Sequence, residues 1–189
     1  MPELLPLFVN LTKRRVLLVG SGSVARAKLA QLLAVGAHVV VVAPVIDPEM
    51  TTTGATIRER EFLPSDLDDV WLVVAAATRD INRIVAEAAQ TRRLLVNAVD
   101  DPENASAFLS GVVRREGVTI AISTSGDAPG LTSLVREALD AVLPADLGRW
   151  MAVAREARTG WRHDGVPMVD RRPLLLRALT RLYEEGAWR

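Results

Sequence analysis

The stretch RRVLLVGSGSVARAKLAQLLAVGAHVVVVAP, residues 14–44, restricts the fold more than any other part of the chain. It opens with RRVLLVG (14–20), a short apolar run ended by glycine, which is the pattern of a strand buried on both faces. SVARAKLAQLLAVG (23–36) then changes period: Val24, Leu29, Leu32 and Leu33 fall on one helical face, and Gly36 fits a helix end. AHVVVVAP (37–44) is a second apolar run, stopped by Pro44. Strand, helix and strand in that order form a βαβ unit, which requires a parallel sheet.

The alternation continues with a short strand near TIREREF (56–62), a short helix after Ser65, a strand in WLVVAAAT (71–78), an amphipathic helix in DINRIVAEAAQTRR (80–93) and a strand in LLVNAVD (94–100). This is an α/β chain with a Rossmann-type, doubly wound parallel sheet. Right-handed crossovers put all strand C-termini on one edge, where ligands bind, and Asp100 is expected to end the last strand there. The rhythm then changes. SAFLSGVVRREG and VTIAISTSG (106–126) read as two strands joined through Arg114 to Gly117 without a helix between them. Helices follow over 128–144, with Pro129 near the start, and over 146–160 and 171–186. The expected division is a dinucleotide-binding domain at 1–104, an appended strand-pair and helix region at 105–145 suited to dimer contacts, and a small helical C-terminal domain at 146–189.

Charge and composition narrow the function. Lys plus Arg and Asp plus Glu number 23 each, so no global field drives the chain to nucleic acid or an anionic membrane. There is no cysteine, which excludes disulfides, thiolate catalysis and zinc-thiolate sites; His38 and His163 stand far apart, so no resident metal is expected. The N-terminus MPELLPLFVNLTKRR lacks the pattern of a secretion signal, and no apolar run reaches the roughly 20 residues of a membrane span. A cytoplasmic protein is expected.

Gly20-Ser21-Gly22-Ser23-Val24-Ala25 is GxGxxA directly after a strand and at the start of a helix. Gly20 allows a tight turn, Gly22 lets a pyrophosphate approach the backbone, and Ala25 lets helix and strand pack closely. A Gly-rich turn without a ligand is the bland alternative. The usual ribose-binding acid at the end of the second strand is missing; Ala43, Pro44 and Val45 stand there, and the first acid after them is Asp47. No arginine lies in that segment to take a 2′-phosphate, which favours NAD over NADP. AAATRD (75–80), including Thr78, offers small side chains against which a flat ring can lie, or simply close helix packing. Asp100 is expected to be partly desolvated at the ligand edge and so suited to general-base work, whereas Asp101 before proline is ordinary turn chemistry. STSG (123–126) either hydrogen-bonds a ligand's carboxylates or caps the next helix, and Arg114 with Arg115 reads as a solvated hairpin tip or an anion contact.

LPLFVNL…RRVLLVGSGSVA…K, then VVAP, LLVNAVDDP and TIAISTSGDAPGL…VREALDAVLP, resembles the precorrin-2 dehydrogenase and sirohydrochlorin ferrochelatase family, which also forms the N-terminal part of siroheme synthase. The similarity runs from about Leu5 to Pro144 in order and spacing. It implies NAD-dependent oxidation of precorrin-2 to sirohydrochlorin, with ferrous iron insertion by some members, in a homodimer. It assigns the acid/base role to Asp100, and cofactor contacts to Gly20, Gly22, Ser23, Val24, Ala43, Pro44 and Val45, to which Thr78 is added from the strand end. Ser123, Thr124, Gly126, Lys28 and Arg114 are the expected substrate contacts, with Arg79 and Arg136 as further cations for the macrocycle's carboxylates. The sequence departs from the family where Ser21 and Ser125 replace glycines, and where Ala107 and Ser110 replace an aromatic and a proline. Two rival classes are a nucleotide-sensing regulatory domain without chemistry and a chelatase without redox function.

Overall fold

The central sheet follows from where the apolar runs fall. The computed structural model describes residues 3–109 and 111–184. Five parallel strands, β1 (Arg15–Val19), β2 (His38–Ala43), β3 (Thr56–Glu59), β4 (Leu72–Ala75) and β5 (Leu95–Ala98), lie in the order β3-β2-β1-β4-β5. Because β1 and β2 pair in register from Arg15 with His38 to Val19 with Val42, their side chains sort by parity. Val16, Leu18, Val39, Val41 and Val74 pack on one face with Leu29 and Leu32 of helix α1 (Ser23–Ala34). Leu17, Val19, Val40, Val42 and Val73 pack on the other face with Val85 and Ala89 of a later helix (Arg79–Thr91). Both faces are covered, which is why the strands read as continuous apolar runs.

Two expectations need correction here. On α1 the buried residues are Ala25, Leu29 and Leu32, while Val24 is 46% exposed, because the buried stripe starts at Ala25 and its neighbour Val24 points off that stripe, into the lining of a cleft. A four-residue helix, α2 (Pro48–Thr51), follows β2 and was not foreseen; Asp47 caps it by accepting the Glu49 N–H at 2.9 Å. The expected helix after Ser65 is a 3₁₀ turn at Pro64–Leu67. Continuing the numbering, α3 is Arg79–Thr91, as above, and α4 is Pro129–Val142.

Contacts divide the chain into two compact units, one of residues 1–109 with 123–128, the other of 110–122 with 129–189. In the second unit, β6 (Gly111–Arg115) pairs antiparallel with β7 (Val118–Ile122). Glu116 and Gly117 form the turn with φ of +49° and +89°, the two left-handed residues of a tight hairpin. Arg114 and Arg115 therefore sit in the strand and not at its tip. Arg114 is exposed, and Arg115 is tied to the Leu143 carbonyl (2.6 Å) and Asp140 (2.8 Å). Helices α4, α5 (Leu147–His163) and α6 (Met168–Glu184) complete this unit; Ser110 and the expected helix end at 185–186 lie outside the described residues.

One buried acid in the first unit sets a pH dependence. The Asp66 carboxylate has no solvent exposure and holds Arg58 (2.5 Å) and Arg60 (2.6 Å). The Arg60 hydrogen bond leads in lowering its pKa from 3.8 to about 2, against the opposing effect of burial. A depressed folded-state pKa stabilises above the unfolded value and is lost as pH falls through the folded one. Asp66→Asn is expected to cost about 2 kcal/mol at neutral pH, with the difference from the parent shrinking between roughly pH 4 and pH 2. Urea unfolding of both proteins across that range checks it.

Candidate functional site

The ends of the central strands are drawn together by their backbones. Gly20 donates to the Val42 carbonyl at 2.9 Å, and Ala76 donates to that of Val19 at 2.8 Å. At Gly20 the φ is +118°, and an added Cβ would stand 2.2 Å from the Ala76 carbonyl oxygen. Gly22 is the opposite case: its φ of −75° suits any residue, and an added Cβ would meet nothing within 4 Å. The space above it is a cleft of about 250 Å³ lined on the α1 side by Gly22, Ser23 and Val24. No side chain caps α1 and no acid occupies its first turn, so the unpaired amides and the positive end of the helix dipole are left for an anion. Ala25, without exposed surface, gives the close helix packing that the third motif position requires. Open space at Gly22 and an uncapped helix end fit a dinucleotide's pyrophosphate.

The second wall is Ala76, Ala77 and Asn82. Asn82 was missed from the sequence. It is buried on α3, accepts the Ala77 N–H at 3.0 Å and donates to the Val99 carbonyl at 3.3 Å, so it joins the two strand ends that flank the cleft. Its signal was present: among the buried set Asn82, Val85, Ala86 and Ala89, it is the one polar member of a helical stripe. Thr78 precedes α3 as its N-cap and is exposed, one residue beyond Ala77. Arg79 lines the cleft and is exposed, 4.0 Å from Glu103.

Val99, Asp100 and Asp101 form the third wall. Here the structure reverses an expectation. β5 stops at Ala98, and Asp100 lies in the following turn with φ +54°, exposed and not desolvated. Asp101, expected to be the ordinary turn residue, is 1% exposed. Its Oδ2 accepts from the Asn104 side chain at 2.8 Å, and its Oδ1 has no hydrogen-bond partner among the described residues. The left-handed residue turns the chain so that Asp100 faces the cleft and Asp101 folds beneath the 3₁₀ turn Pro102–Asn104.

Lys28 reaches this region from α1. Its ammonium donates to the Leu109 carbonyl at 3.1 Å; burial pushes its pKa down, and the Asp100 carboxylate opposes that shift. The segment 123–128 returns to the same unit. Gly126, with φ +90°, lies against Pro102 and Phe108, so that a Cβ there would be 3.5 Å from the Pro102 Cβ. Ser123 Oγ accepts the Ser125 N–H at 3.0 Å, and Thr124 Oγ1 accepts the Ala128 N–H at 3.2 Å. Arg114 and Arg136 belong to the second unit, where Arg136 pairs with Glu137 at 3.2 Å.

The remaining cofactor positions surround the end of β2. Ala43 is buried, and Pro44 and Val45 are exposed beyond it. Asp47 donates its N–H to Ser21 Oγ at 2.5 Å, which fastens this loop to the glycine turn. The segment itself carries no arginine, as expected, but α1 brings Arg26 across to it, with Nη1 3.2 Å from Asp47 and 2.8 Å from Glu49. Among the described residues, no three His, Asp or Glu side chains gather to hold a metal, and no helix is long and apolar enough to cross a membrane.

A family model described as "Putative NAD(P)-binding" matches residues 7–111. Siroheme synthase 3 of Aeromonas hydrophila is 39% identical over 175 residues, which are 90% of this chain and 37% of that protein. Siroheme synthase 1 of Cronobacter sakazakii is 43% identical over 157 residues, 80% of this chain and 33% of the relative. The chain thus spans little more than a third of the curated relatives it matches. Among solved structures, SirC, a precorrin-2 dehydrogenase, superposes with a TM-score of 0.69 at 22% identity, covering 92% of this chain and 88% of its own. That likeness establishes the fold.

Proposed function

The chain belongs to the NAD(P)-binding family whose model spans residues 7–111, and on that premise we propose that it oxidises precorrin-2 to sirohydrochlorin with NAD, in siroheme formation. One juxtaposition carries this reading: a single cleft has the glycine turn and helix end on one wall and Asp100 on another. An uncapped helix end binds, and an exposed carboxylate beside it can move protons.

The oxidation removes a hydride and a proton from the macrocycle. NAD, when bound, supplies the hydride acceptor. Gly22, Ser23 and Val24 would hold its pyrophosphate, Gly20 would shape the turn that presents them, and Ala43, Pro44, Val45 and Thr78 would border its outer parts. The Asp100 carboxylate takes the proton. Its position in the turn after β5 leaves it exposed on the wall of the cleft. Asn82 positions both walls through its two hydrogen bonds. Precorrin-2 is a polycarboxylate, and Lys28 with Arg79 supplies cations beside Asp100 while Ser123, Thr124 and Gly126 border the Pro102 turn.

The same reading includes a homodimer in the cytoplasm. α4 supports it: Leu131, Leu134 and Val142 are 53–73% exposed, and no residue of this amphipathic helix is buried. The 105–145 region is then the dimerisation region, with 146–189 a small helical domain. Were ferrous iron also a substrate, as in some members of the family, Asp100 would accept the displaced pyrrole protons. The regulatory, non-catalytic reading is not favoured, since the relatives are named as synthases.

Anaerobic incubation with precorrin-2 and NAD⁺ tests the proposal. Sirohydrochlorin is expected to appear together with NADH. Bound NAD⁺ with unchanged precorrin-2 would overturn it. Adding ferrous iron then asks whether siroheme forms faster than without protein.

A further inference from the structure

In sheets of this kind the adenosine ribose lies outside the carboxyl end of the second strand, beside the first glycine turn. An acid there accepts the ribose 2′-hydroxyl, whereas a free arginine accommodates a 2′-phosphate. This chain brings both to the place. Ser21 of the glycine turn holds the backbone of Asp47, so the acid is fixed against the motif itself. Arg26 projects from the first turn of α1 to the same loop, and its Nη1 is shared by Asp47 Oδ2 (3.2 Å) and Glu49 Oε2 (2.8 Å). The cluster is reachable: the side chains of Arg26, Asp47 and Glu49 are 40%, 24% and 72% exposed. Glu59, paired in register with Ala43 and accepting the Ile46 N–H at 3.4 Å, adds another carboxylate from β3.

We infer that Asp47 and Glu49 occupy Arg26 and so make this loop select a 2′-hydroxyl over a 2′-phosphate, giving specificity for NAD over NADP. The inference rests on the dinucleotide-binding reading and deepens it. A phosphate monoester carries up to about two negative charges at neutral pH. It would enter a field in which one guanidinium is already outnumbered by three carboxylates, and in which that guanidinium's donor is in use. A ribose hydroxyl instead donates to Asp47 and leaves the ion pairs in place. The arginine is present in the position that binds NADP elsewhere, but its neighbours keep it from acting.

The test is nucleotide binding by titration calorimetry, with NAD⁺ and NADP⁺ as ligands. The parent protein should favour NAD⁺ at least about tenfold, the scale of one partly screened charge interaction. Asp47→Asn with Glu49→Gln should reduce that preference at least about tenfold, because asparagine still caps α2 but neither residue holds Arg26 by charge. Glu49→Gln alone, at an exposed position that cannot threaten folding, should move the preference the same way by less. Arg26→Ala added to the double variant should remove the gained NADP⁺ affinity. NAD⁺ binding with an unchanged preference in the double variant would overturn the inference alone, as would a gain that survives Arg26→Ala. A parent protein that binds neither nucleotide would overturn the cofactor reading as well.

Discussion

Asp100→Ala is expected to lower the turnover of precorrin-2 by roughly a hundredfold to ten-thousandfold, the range that a positioned proton acceptor contributes. The fold should not respond. Asp100 is exposed, its side chain makes no hydrogen bond that holds the turn among the described residues, and its φ of +54° is a conformation that alanine adopts at a modest cost of about 1 kcal/mol. NAD⁺ affinity should stay within a few-fold, because the pyrophosphate contacts lie on the other wall. Asp100→Asn keeps the shape and loses the proton-accepting charge, so it should be nearly as slow. The Asp101 variants provide the contrast. Asp101 is buried and engaged with Asn104, so its replacement acts through the turn and should change stability along with rate.

The second large effect separates two glycines of one motif. Gly20→Ala must place a methyl 2.2 Å from the Ala76 carbonyl oxygen, in a backbone conformation that L-residues rarely adopt. Neither the strand end nor the carbonyl can withdraw without breaking the pairing of β1 and β4. The cost should be roughly 3–5 kcal/mol, combining backbone strain and overpacking, and thermal unfolding should fall by about 10 °C. Gly22→Ala has open space and an ordinary φ, so its unfolding temperature should match the parent. Its methyl instead fills the path of the pyrophosphate, and the NAD⁺ dissociation constant should rise at least about tenfold. Calorimetry of melting and of binding on both variants distinguishes a glycine needed by the fold from a glycine needed by the ligand.

The parallel sheet was legible because each strand is buried on both faces and so carries an uninterrupted apolar run. The glycine turn was legible because it needs no long-range partner. The details of the acid pair were not. Whether Asp100 or Asp101 is buried depends on one left-handed residue, and its sequence context, Val-Asp-Asp-Pro, allows either. Val24 falls outside the buried face because the stripe is set by Ala25, Leu29 and Leu32, and a small alanine is easily passed over in favour of the larger apolar residue beside it. Contacts across long separations were out of reach. Lys28 meets Leu109 across 81 positions, and Arg26 meets Asp47 across 21. Asn82 was the omission that pattern alone could have prevented, since a polar residue in a buried helical stripe must find partners, and here the partners are the cleft's own walls.

The most direct measurement is the stoichiometry of oxidation: NADH formed per sirohydrochlorin formed, anaerobically, in the parent protein and in Asp100→Ala. The account predicts one NADH for each sirohydrochlorin in the parent, and neither product at a comparable rate in the variant while NAD⁺ still binds. Sirohydrochlorin formed at equal rates by both proteins, or formed without NADH, would contradict it.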